Sequence, residues 1–368
     1  MDNSVYKETQ IDFLKEPLFL GTGKNTQRYD ILKYPFFDNT NEKMLGQFWQ
    51  PMEIDVSRDK RDFHNLPENM KSTYTKVLQK LIFLDSVQGR GMSGTFGQFI
   101  TNPEFESAMK TWEFFENIHS RSYTHILRSV YENPSEIFDE SFRIKELTGL
   151  AKQISTSYDN CFQKGIEYLA NPGDDTELKK SILLLLIEIN ILEGIRFYSG
   201  FATIWSMHYS QGYMERTSNI LKLIARDENI HLQITQYTLK LLKDSSIEGF
   251  TEIYREIENK IPEIYENACV QEFQWIDFLF KEGSFLGMSP ELAKNYLKYI
   301  CNRRLRAIGQ VGLFAGFTKN PIPWVETYIN YDTAESLPQE TEILNYRFDL
   351  LDKSISDNKI KSLKDLLS

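Results

Sequence analysis

The chain has 368 residues, of which 41% are hydrophobic, so it is long enough for one large or two modest domains. Its formal net charge of −10 argues against a binder of nucleic acid or of anionic membranes, because such proteins carry dense basic patches. Three widely separated cysteines without a Cys-x-x-Cys spacing indicate reduced thiols rather than a disulfide framework or a thiolate zinc site.

Targeting and membrane segments are not expected. The N-terminus lacks the basic start and apolar run of a signal peptide. The most apolar stretch, residues 181–205, contains Glu188, Glu193 and Arg196, which a membrane span would not tolerate well. We therefore expect a cytoplasmic protein.

The predicted elements begin with an arm at residues 1–40, which mixes polar residues with Gly21, Gly23 and Pro35 and is expected to be extended. One helical domain is predicted at residues 41–335, because the hydrophobic pattern is helical nearly throughout from about residue 65. Residues 336–368 are polar and are expected to form a flexible tail. The predicted breaks between helices are Pro103, Pro134, Pro172-Gly173, Gly212 and Pro290.

The first two helices of interest carry polar side chains on apolar faces. Asp85 is the single acid on the stripe of the first helix. Glu116, His119 and Tyr123 stand at i, i+3 and i+7 in the second, and therefore share one helical face. Their neighbours along that face are apolar, so the polar trio is predicted to lie in the core. These neighbours are Tyr74, Leu78 and Leu81 in the first helix and Phe105, Met109, Trp112, Ile126 and Val130 in the second.

The same pattern occurs a second time further along the chain. Glu193 is a lone acid on an apolar stripe, and Glu228 and His231 form a second Glu-x-x-His. Asp85 precedes Glu116 by 31 residues and Glu193 precedes Glu228 by 35, which suits antiparallel helices joined by short connections. The stripe residues are Ile182, Leu186, Ile189 and Phe197, followed by Leu221, Ile224, Thr235, Thr238 and Leu242.

Six such side chains in one core point to metal ions. A single Glu-x-x-His is usually a solvated pair or a satisfied core histidine, but two of them on apolar stripes, each preceded by an acid, are not explained that way. Burying four unpaired carboxylates would be costly, and two divalent cations would neutralise them. Oxygen and imidazole ligands suit iron or manganese better than structural zinc. The repeated motif is typical of a dimetal-carboxylate site inside a four-helix bundle.

Five segments carry a resemblance to a known family. They are residues 84–90, 116–125, 192–198, 224–231 and 320–324, and they span most of the chain. They resemble the small, radical-generating subunit of class I ribonucleotide reductases. The resemblance implies an all-α fold with a ferritin-like four-helix bundle core, additional helices and the dimetal site inside the bundle.

The resemblance also implies ligands and a cofactor. The cofactor would be two iron ions, oxo-bridged, or two manganese ions. Tyr123 would be oxidised to a stable tyrosyl radical when the reduced centre reacts with dioxygen. One or two of the glutamates would bridge the metals. The implied ligand sets are Asp85, Glu116 and His119 for one metal and Glu193, Glu228 and His231 for the other.

Further residues gain roles only through this resemblance. An apolar pocket around the radical is implied at Leu78, Phe197, Phe201 and Ile224. Radical transfer towards the partner is implied for Trp49, Asp227 and Tyr346.

Partners follow from the same resemblance. The chain is expected to form a homodimer and to dock through its C-terminal tail to a large subunit, where ribonucleotides become deoxyribonucleotides. Substrate choice and nucleotide regulation would belong to that large subunit.

Three other functions compete with this interpretation. A ferritin-like iron-storage or oxidase protein would use the same ligand pattern. A di-iron oxygenase or desaturase would add a channel for an organic substrate. A purely structural helical bundle would hold no metal.

Overall fold

The computed structural model of the protein describes residues 6–8 and 10–329, and most of these residues are helical. No β-sheet occurs within these residues; the strand-like contacts are two isolated bridges, Phe19–Ile100 and Phe285–Met288. The prediction of an all-α chain is therefore confirmed. The helices are α1 Pro35–Gly46, α2 Ser57–Asn65, α3 Glu68–Gly94, α4 Pro103–Val130, α5 Pro134–Ser141, α6 Lys145–Ala170, α7 Thr176–Ile191, α8 Phe197–Gln211, α9 Glu215–Asp244, α10 Thr251–Ile257, α11 Ile261–Leu279, α12 Pro290–Ala307 and α13 Glu326–Ile329.

The helix boundaries follow the chemistry of the predicted breaks. Pro103 and Pro290 stand in the first turns of α4 and α12, where the missing N–H is not needed. The Asn102 side chain caps α4 by accepting a hydrogen bond from the Phe105 N–H at 2.8 Å. Gly212 ends α8 with a positive φ of 73°, a conformation that glycine adopts without strain.

Four long elements surround the centre of the molecule. Helix α3 packs against α4 and α8, and α9 packs against α4, α7 and α8. Every residue of the four predicted stripes is buried, including the acids and the histidines. Amphipathic helices of 27, 28 and 30 residues in α3, α4 and α9 thus bury their apolar faces against one another, and the polar side chains on those faces have to meet inside.

A π-helical segment, Leu192–Arg196, joins α7 to α8. It carries Glu193, and such bulges commonly occur at functional sites because they redirect a side chain within a helix. Gly194 allows close packing here, since a Cβ atom would lie 3.0 Å from a methyl group of Leu232.

The predicted N-terminal arm lies against the core. Residues 6–8 and 10–34 contain no helix, but Leu18 and Phe19 are buried, and the Phe19 ring packs edge-on against Phe105 at a centroid distance of 5.4 Å. Helix α1 begins at Pro35, inside the segment that was expected to be extended. The predicted tail, residues 336–368, lies outside the described residues.

In the described part of the chain, no helix is both long enough and apolar enough to span a membrane.

A buried ion cluster ties α3 to the π-helical segment. The Lys80 ammonium, fully buried, donates to Glu272 at 2.5 Å and to the Arg196 carbonyl oxygen at 3.1 Å. Arg196 also approaches the Glu272 carboxylate, at 3.5 Å. Burial lowers the pKa of Lys80, and the Glu272 carboxylate works against that effect.

Removing this lysine is expected to destabilise the fold. Lys80→Ala should lower the free energy of unfolding by about 3 kcal/mol, because Glu272 would lose its closest buried cation. Urea denaturation measures the change. The matched control is Lys71→Ala on the same helix, whose partner Glu68 is 86% exposed, so the expected loss is below about 1 kcal/mol. Equal losses in the two variants would contradict a structural role for the cluster.

Candidate metal centre

Two overlapping groups of ligand side chains lie at the centre of the bundle. Within each group the candidate ligand atoms lie within 4.8 Å of one another, and all of these side chains are fully buried. Glu116 and Glu228 belong to both groups, so they are placed to bridge two neighbouring ions. The groups are Asp85, Glu116, His119 and Glu228, and Glu116, Glu193, Glu228 and His231.

Each side chain reaches the site from a predictable position in the bundle. Helix α3 supplies Asp85, and the π-helical segment supplies Glu193. Helices α4 and α9 each supply a glutamate and a histidine three residues later, on one helical face. The structure thus brings together all six residues that the sequence predicted as ligands.

The two imidazoles turn the same atom towards the carboxylates. His119 Nδ1 lies 3.0 Å from a Glu228 oxygen and 3.5 Å from a Glu116 oxygen. His231 Nδ1 lies 2.9 Å from the other Glu228 oxygen and 3.2 Å from Glu116. Glu228 therefore lies between the two histidines, which places its two oxygens on opposite halves of the site.

The carboxylates strongly shift one another's pKa values. Burial, with repulsion from Glu116 and Glu228, raises the pKa of Asp85 well above its usual value. Burial and the Glu228 charge likewise raise the pKa of Glu193. These carboxyls would retain protons when no cation compensates them.

The pKa shifts of Glu228 and His119, in contrast, favour the charged forms of both side chains. Burial alone would raise the pKa of Glu228, but a hydrogen bond with Glu193 and the nearby imidazoles outweigh burial and lower that pKa. Burial works against a charged His119 ring, yet the Glu228 carboxylate and its neighbours raise the pKa of His119 well above normal. Protonated imidazoles and carboxyls thus supply the positive charge and protons that metal ions would replace.

The unpartnered atoms of the site fit a metal centre. Within the described residues, both Asp85 oxygens and one oxygen each of Glu116, Glu193 and Glu228 make no hydrogen bond, although they are buried. Such atoms are costly unless they bind something. Two divalent cations would supply four positive charges against the four carboxylates and would use these oxygens.

Surrounding side chains fix the orientation of the glutamates. The Trp112 indole donates to Glu116 at 2.7 Å, and its ring stacks on His231 at a centroid distance of 4.7 Å. The Gln88 amide donates to Glu193 at 2.6 Å and accepts a hydrogen bond from the Tyr158 hydroxyl. Such supporting contacts hold ligands in position.

Neither Gln88 nor Tyr158 was predicted from the sequence to have a role at the site. Gln88 stands three residues after Asp85 on α3, so its helical spacing was an available signal. Tyr158 comes from α6 and had no local signal.

Tyr123 lies on α4 one turn beyond His119 and is fully buried. Its hydroxyl meets the strict geometry of a hydrogen bond with none of the described residues, but the Asp85 carboxylate is its close neighbour. Burial, followed by the nearby Asp85 carboxylate, raises the pKa of Tyr123 well above its usual value. The phenol therefore stays protonated and shielded from water.

The four residues predicted to line an apolar pocket are completely buried and come from three of the central helices. The rings of Phe197 and Phe201 stack at a centroid distance of 5.9 Å with an interplanar angle of 8°. A function in shielding Tyr123 stays a prediction. The residues are Leu78 on α3, Phe197 and Phe201 on α8, and Ile224 on α9.

A hydrogen-bonded connection leads from the site to Trp49. The Asp227 carboxylate accepts a hydrogen bond from the Trp49 indole at 2.7 Å, and the same oxygen lies 3.2 Å from His119 Nε2. Arg226 donates to the other Asp227 oxygen at 3.0 Å and to the Gln47 carbonyl oxygen at 2.7 Å. The structure thus joins the two predicted transfer residues to a candidate ligand.

Arg226 was not predicted from the sequence, although a cation next to Asp227 in the chain was an available signal. Tyr346, the third predicted transfer residue, lies outside the described residues.

The chain is similar to known proteins over nearly its whole length. The family described as "Ribonucleotide reductase, small chain" matches residues 28–321. The ribonucleoside-diphosphate reductase subunit beta of Buchnera aphidicola subsp. Acyrthosiphon pisum is 38% identical, over 99% of this chain and all of the relative. The ribonucleoside-diphosphate reductase 1 subunit beta of Salmonella typhimurium is 36% identical, over 99% of this chain and all of the relative.

The solved structures agree. The ribonucleotide reductase R2 subunit from Clostridium botulinum superimposes with a TM-score of 0.78 at 29% identity, covering 89% of this chain and 98% of that one. With the buried carboxylate and histidine cluster, this likeness confirms the predicted ferritin-like fold.

Proposed function

Since the chain belongs to the family of ribonucleotide reductase small chains, we propose that its buried ligand cluster and Tyr123 generate the radical that a large subunit uses. The protein is the small subunit of a ribonucleoside-diphosphate reductase, an oxidoreductase that works together with a large subunit. The observation that carries the proposal is the placement of a fully buried phenol one helical turn from His119, in the same core as two ligand groups that share two glutamates.

The family uses a dinuclear centre of iron or manganese, and the ligand atoms found here suit either metal. Glu116 and Glu228 are the candidates for bridging, because they belong to both groups. When bound, the metals would supply the oxidising power that, with dioxygen, removes one electron and one proton from a neighbouring phenol. The candidate ligands of one metal only are Asp85 and His119, and, for the other metal, Glu193 and His231.

The protein contributes the protected position of that phenol. The raised pKa of Tyr123 means that its electron has to leave together with its proton, and the neighbouring Asp85 carboxylate is the group placed to accept that proton. Buried apolar side chains at Leu78, Phe197, Phe201 and Ile224 exclude water, which would otherwise carry reductants to the radical.

Transfer to the partner would begin at Trp49. One oxygen of the Asp227 carboxylate accepts a hydrogen bond from the Trp49 indole and lies close to the His119 imidazole. Asp227 therefore connects Trp49 to the metal site along a route for electron transfer. Arg226 donates two hydrogen bonds to one oxygen of the Asp227 carboxylate and so fixes its position. Tyr346 would continue the route on the tail.

The rival functions are not favoured. An iron-storage protein or an oxygenase would need neither the polar connection from His119 to Trp49 nor an isolated phenol beside the ligands. The likeness over the full length to reductase subunits favours the reductase.

The assembly and location are part of the proposal. Residues 41–335 would form the radical-generating domain of a cytoplasmic homodimer, and residues 336–368 would form the docking tail. The apolar pair Leu366 and Leu367 near the end of the tail suits insertion into a groove on the large subunit.

Shortening the chain tests this function. A metal-loaded wild-type chain mixed with its large subunit is expected to reduce ribonucleoside diphosphates, measured as deoxynucleotide formed. A variant ending at Ile329 should keep its metals and its Tyr123 radical but lose binding to the large subunit and turnover. The control is Leu366→Ala, which should weaken binding partially. Full turnover by the shortened chain would contradict a docking role for the tail.

A further inference from the structure

Helix α8 carries a row of aromatic side chains that starts beside the metal ligands. Phe197, Phe201, Trp205 and Tyr209 follow Glu193 at intervals of four residues, which keeps neighbouring members on one face of the helix. Each interval advances about 6 Å along the axis, so the backbone of Trp205 lies roughly 18 Å along the helix from that of Glu193.

The rings are in contact out to the surface. Phe201 lies 5.5 Å from Trp205, and Trp205 stacks on Tyr328 at a centroid distance of 5.1 Å. Tyr328 meets Trp324 edge-on at 6.0 Å, and Trp324 stacks on Tyr209 at 4.7 Å. Trp205 is fully buried whereas Tyr209 is 58% exposed, so the series connects the core with solvent.

The residue types suit electron transfer. Tryptophan and tyrosine are the aromatic side chains that lose one electron most readily, whereas phenylalanine resists oxidation. Phe197 and Phe201 pack in series between the turn that carries Glu193 and the Trp205 ring, at centroid distances of 5.9 Å and 5.5 Å. The Trp205 indole donates its N–H to the Ser218 carbonyl oxygen at 3.2 Å, which fixes the ring.

Tyr328 has a proton acceptor in place. Its hydroxyl lies 2.8 Å from His208 Nδ1. Burial lowers the pKa of His208, so the imidazole is neutral near neutral pH and can take the phenolic proton when Tyr328 is oxidised. Burial, with Tyr209 nearby, raises the pKa of Tyr328 to about 12, so this tyrosine needs such an acceptor.

We propose that Trp205, Tyr328, Trp324 and Tyr209, here called the aromatic ladder, form an electron route from the surface to Tyr123 that is separate from Trp49. The inference rests on the proposed function, because the oxidant is the Tyr123 radical. Trp49 connects to the site through Asp227 on α9, whereas the ladder leaves through α8, the Pro323–Val325 turn and α13.

The overall step balances with a donor of the ascorbate class. Ascorbate at the surface loses one electron and releases one proton to solvent, becoming the ascorbyl radical. The electron passes through the ladder, while His208 takes and returns the Tyr328 proton. The Tyr123 radical gains that electron together with one proton and becomes the phenol again, and the proton taken up there balances the proton that ascorbate released. The ladder thus lets reductants that cannot enter the core quench the radical.

Radical decay in the metal-loaded, full-length protein tests the ladder. Ascorbate is added to wild type, Trp205→Phe and Tyr328→Phe, and the tyrosyl signal is followed by electron paramagnetic resonance. Each variant should begin with the wild-type amount of radical and metal and lose it about tenfold more slowly, equivalent to ~1.4 kcal/mol on the barrier. Trp275→Phe, a buried tryptophan on α11 outside the ladder, should decay like wild type.

The outcomes separate the two proposals. Normal initial radical with equal decay rates in all variants would overturn the ladder and leave the proposed function intact. Slower decay in Trp49→Phe but in neither ladder variant would also overturn it, because electrons would then arrive through Asp227. Absence of any radical in wild type would overturn both proposals.

Discussion

Replacing Trp49 by phenylalanine is expected to uncouple the radical from turnover. The variant should hold both metals and a normal Tyr123 radical, because Trp49 touches Asp227 and not the candidate ligand oxygens. Deoxynucleotide formation with the large subunit should fall by about 100-fold, the upper range for losing a residue that supports a metal ligand. Phenylalanine keeps the packing but cannot donate to Asp227, and it is far harder to oxidise than an indole.

The readouts are the radical signal and the rate of turnover, measured on the same preparation. The matched control is Phe48→Leu, an exposed aromatic neighbour that should leave both unchanged. Asp227→Asn should resemble Trp49→Phe, since the amide presents a different hydrogen-bonding pattern to the indole and to His119. Wild-type turnover in Trp49→Phe would show that the radical leaves the subunit by another path.

Replacing Glu228 by alanine should have the largest effect on metal binding. Glu228 contributes to both ligand groups and places one oxygen near each imidazole. Its loss should therefore prevent stoichiometric binding of either metal. Asp85→Ala changes only one ligand group and should mainly weaken the binding of one metal. Metal analysis after reconstitution and gel filtration measures the number of ions per chain.

A control on the same helix separates ligand loss from damage to the fold. Glu215→Ala removes a carboxylate whose partner is Arg58 at 2.9 Å, remote from the ligand groups, and should bind two metals. Retention of both metals by Glu228→Ala would refute its assignment as a bridging ligand. Equal loss in Glu215→Ala would indicate a folding defect of α9 instead.

The ligand residues were predictable because their signal is local. A glutamate three residues before a histidine lies on one helical face whatever the fold, and an apolar stripe indicates that this face is buried. Repetition of the pattern then predicted that four helices meet around two metals. The bundle brings Asp85, Glu116 and Glu228 together at its centre, as helix periodicity required, and their function as metal ligands stays a prediction.

Other features depend on residues far apart in the chain. Lys80 meets Glu272 across 192 positions, and Tyr158 reaches Gln88 across 70. Neither contact has a periodicity that one sequence could reveal.

The arm and the π-helical segment illustrate further limits. Polar composition suggested an extended arm, yet the Leu18 N–H donates to the buried Glu248 carboxylate at 2.7 Å, a tertiary contact that holds this segment. In the π-helical segment around Glu193 the backbone hydrogen bonds join residues five apart instead of four. The pattern of hydrophobic residues in the sequence does not show this change.

We propose above that the buried cluster serves to oxidise Tyr123. The most direct measurement is electron paramagnetic resonance of the apoprotein after reconstitution with ferrous iron and dioxygen, comparing wild type with Tyr123→Phe at equal metal content. We expect a tyrosyl signal in wild type and none in the variant, whose ligand groups are unchanged. A wild-type protein that binds two metals but shows no tyrosyl signal with either iron or manganese, or a variant with the same signal as wild type, would contradict the account.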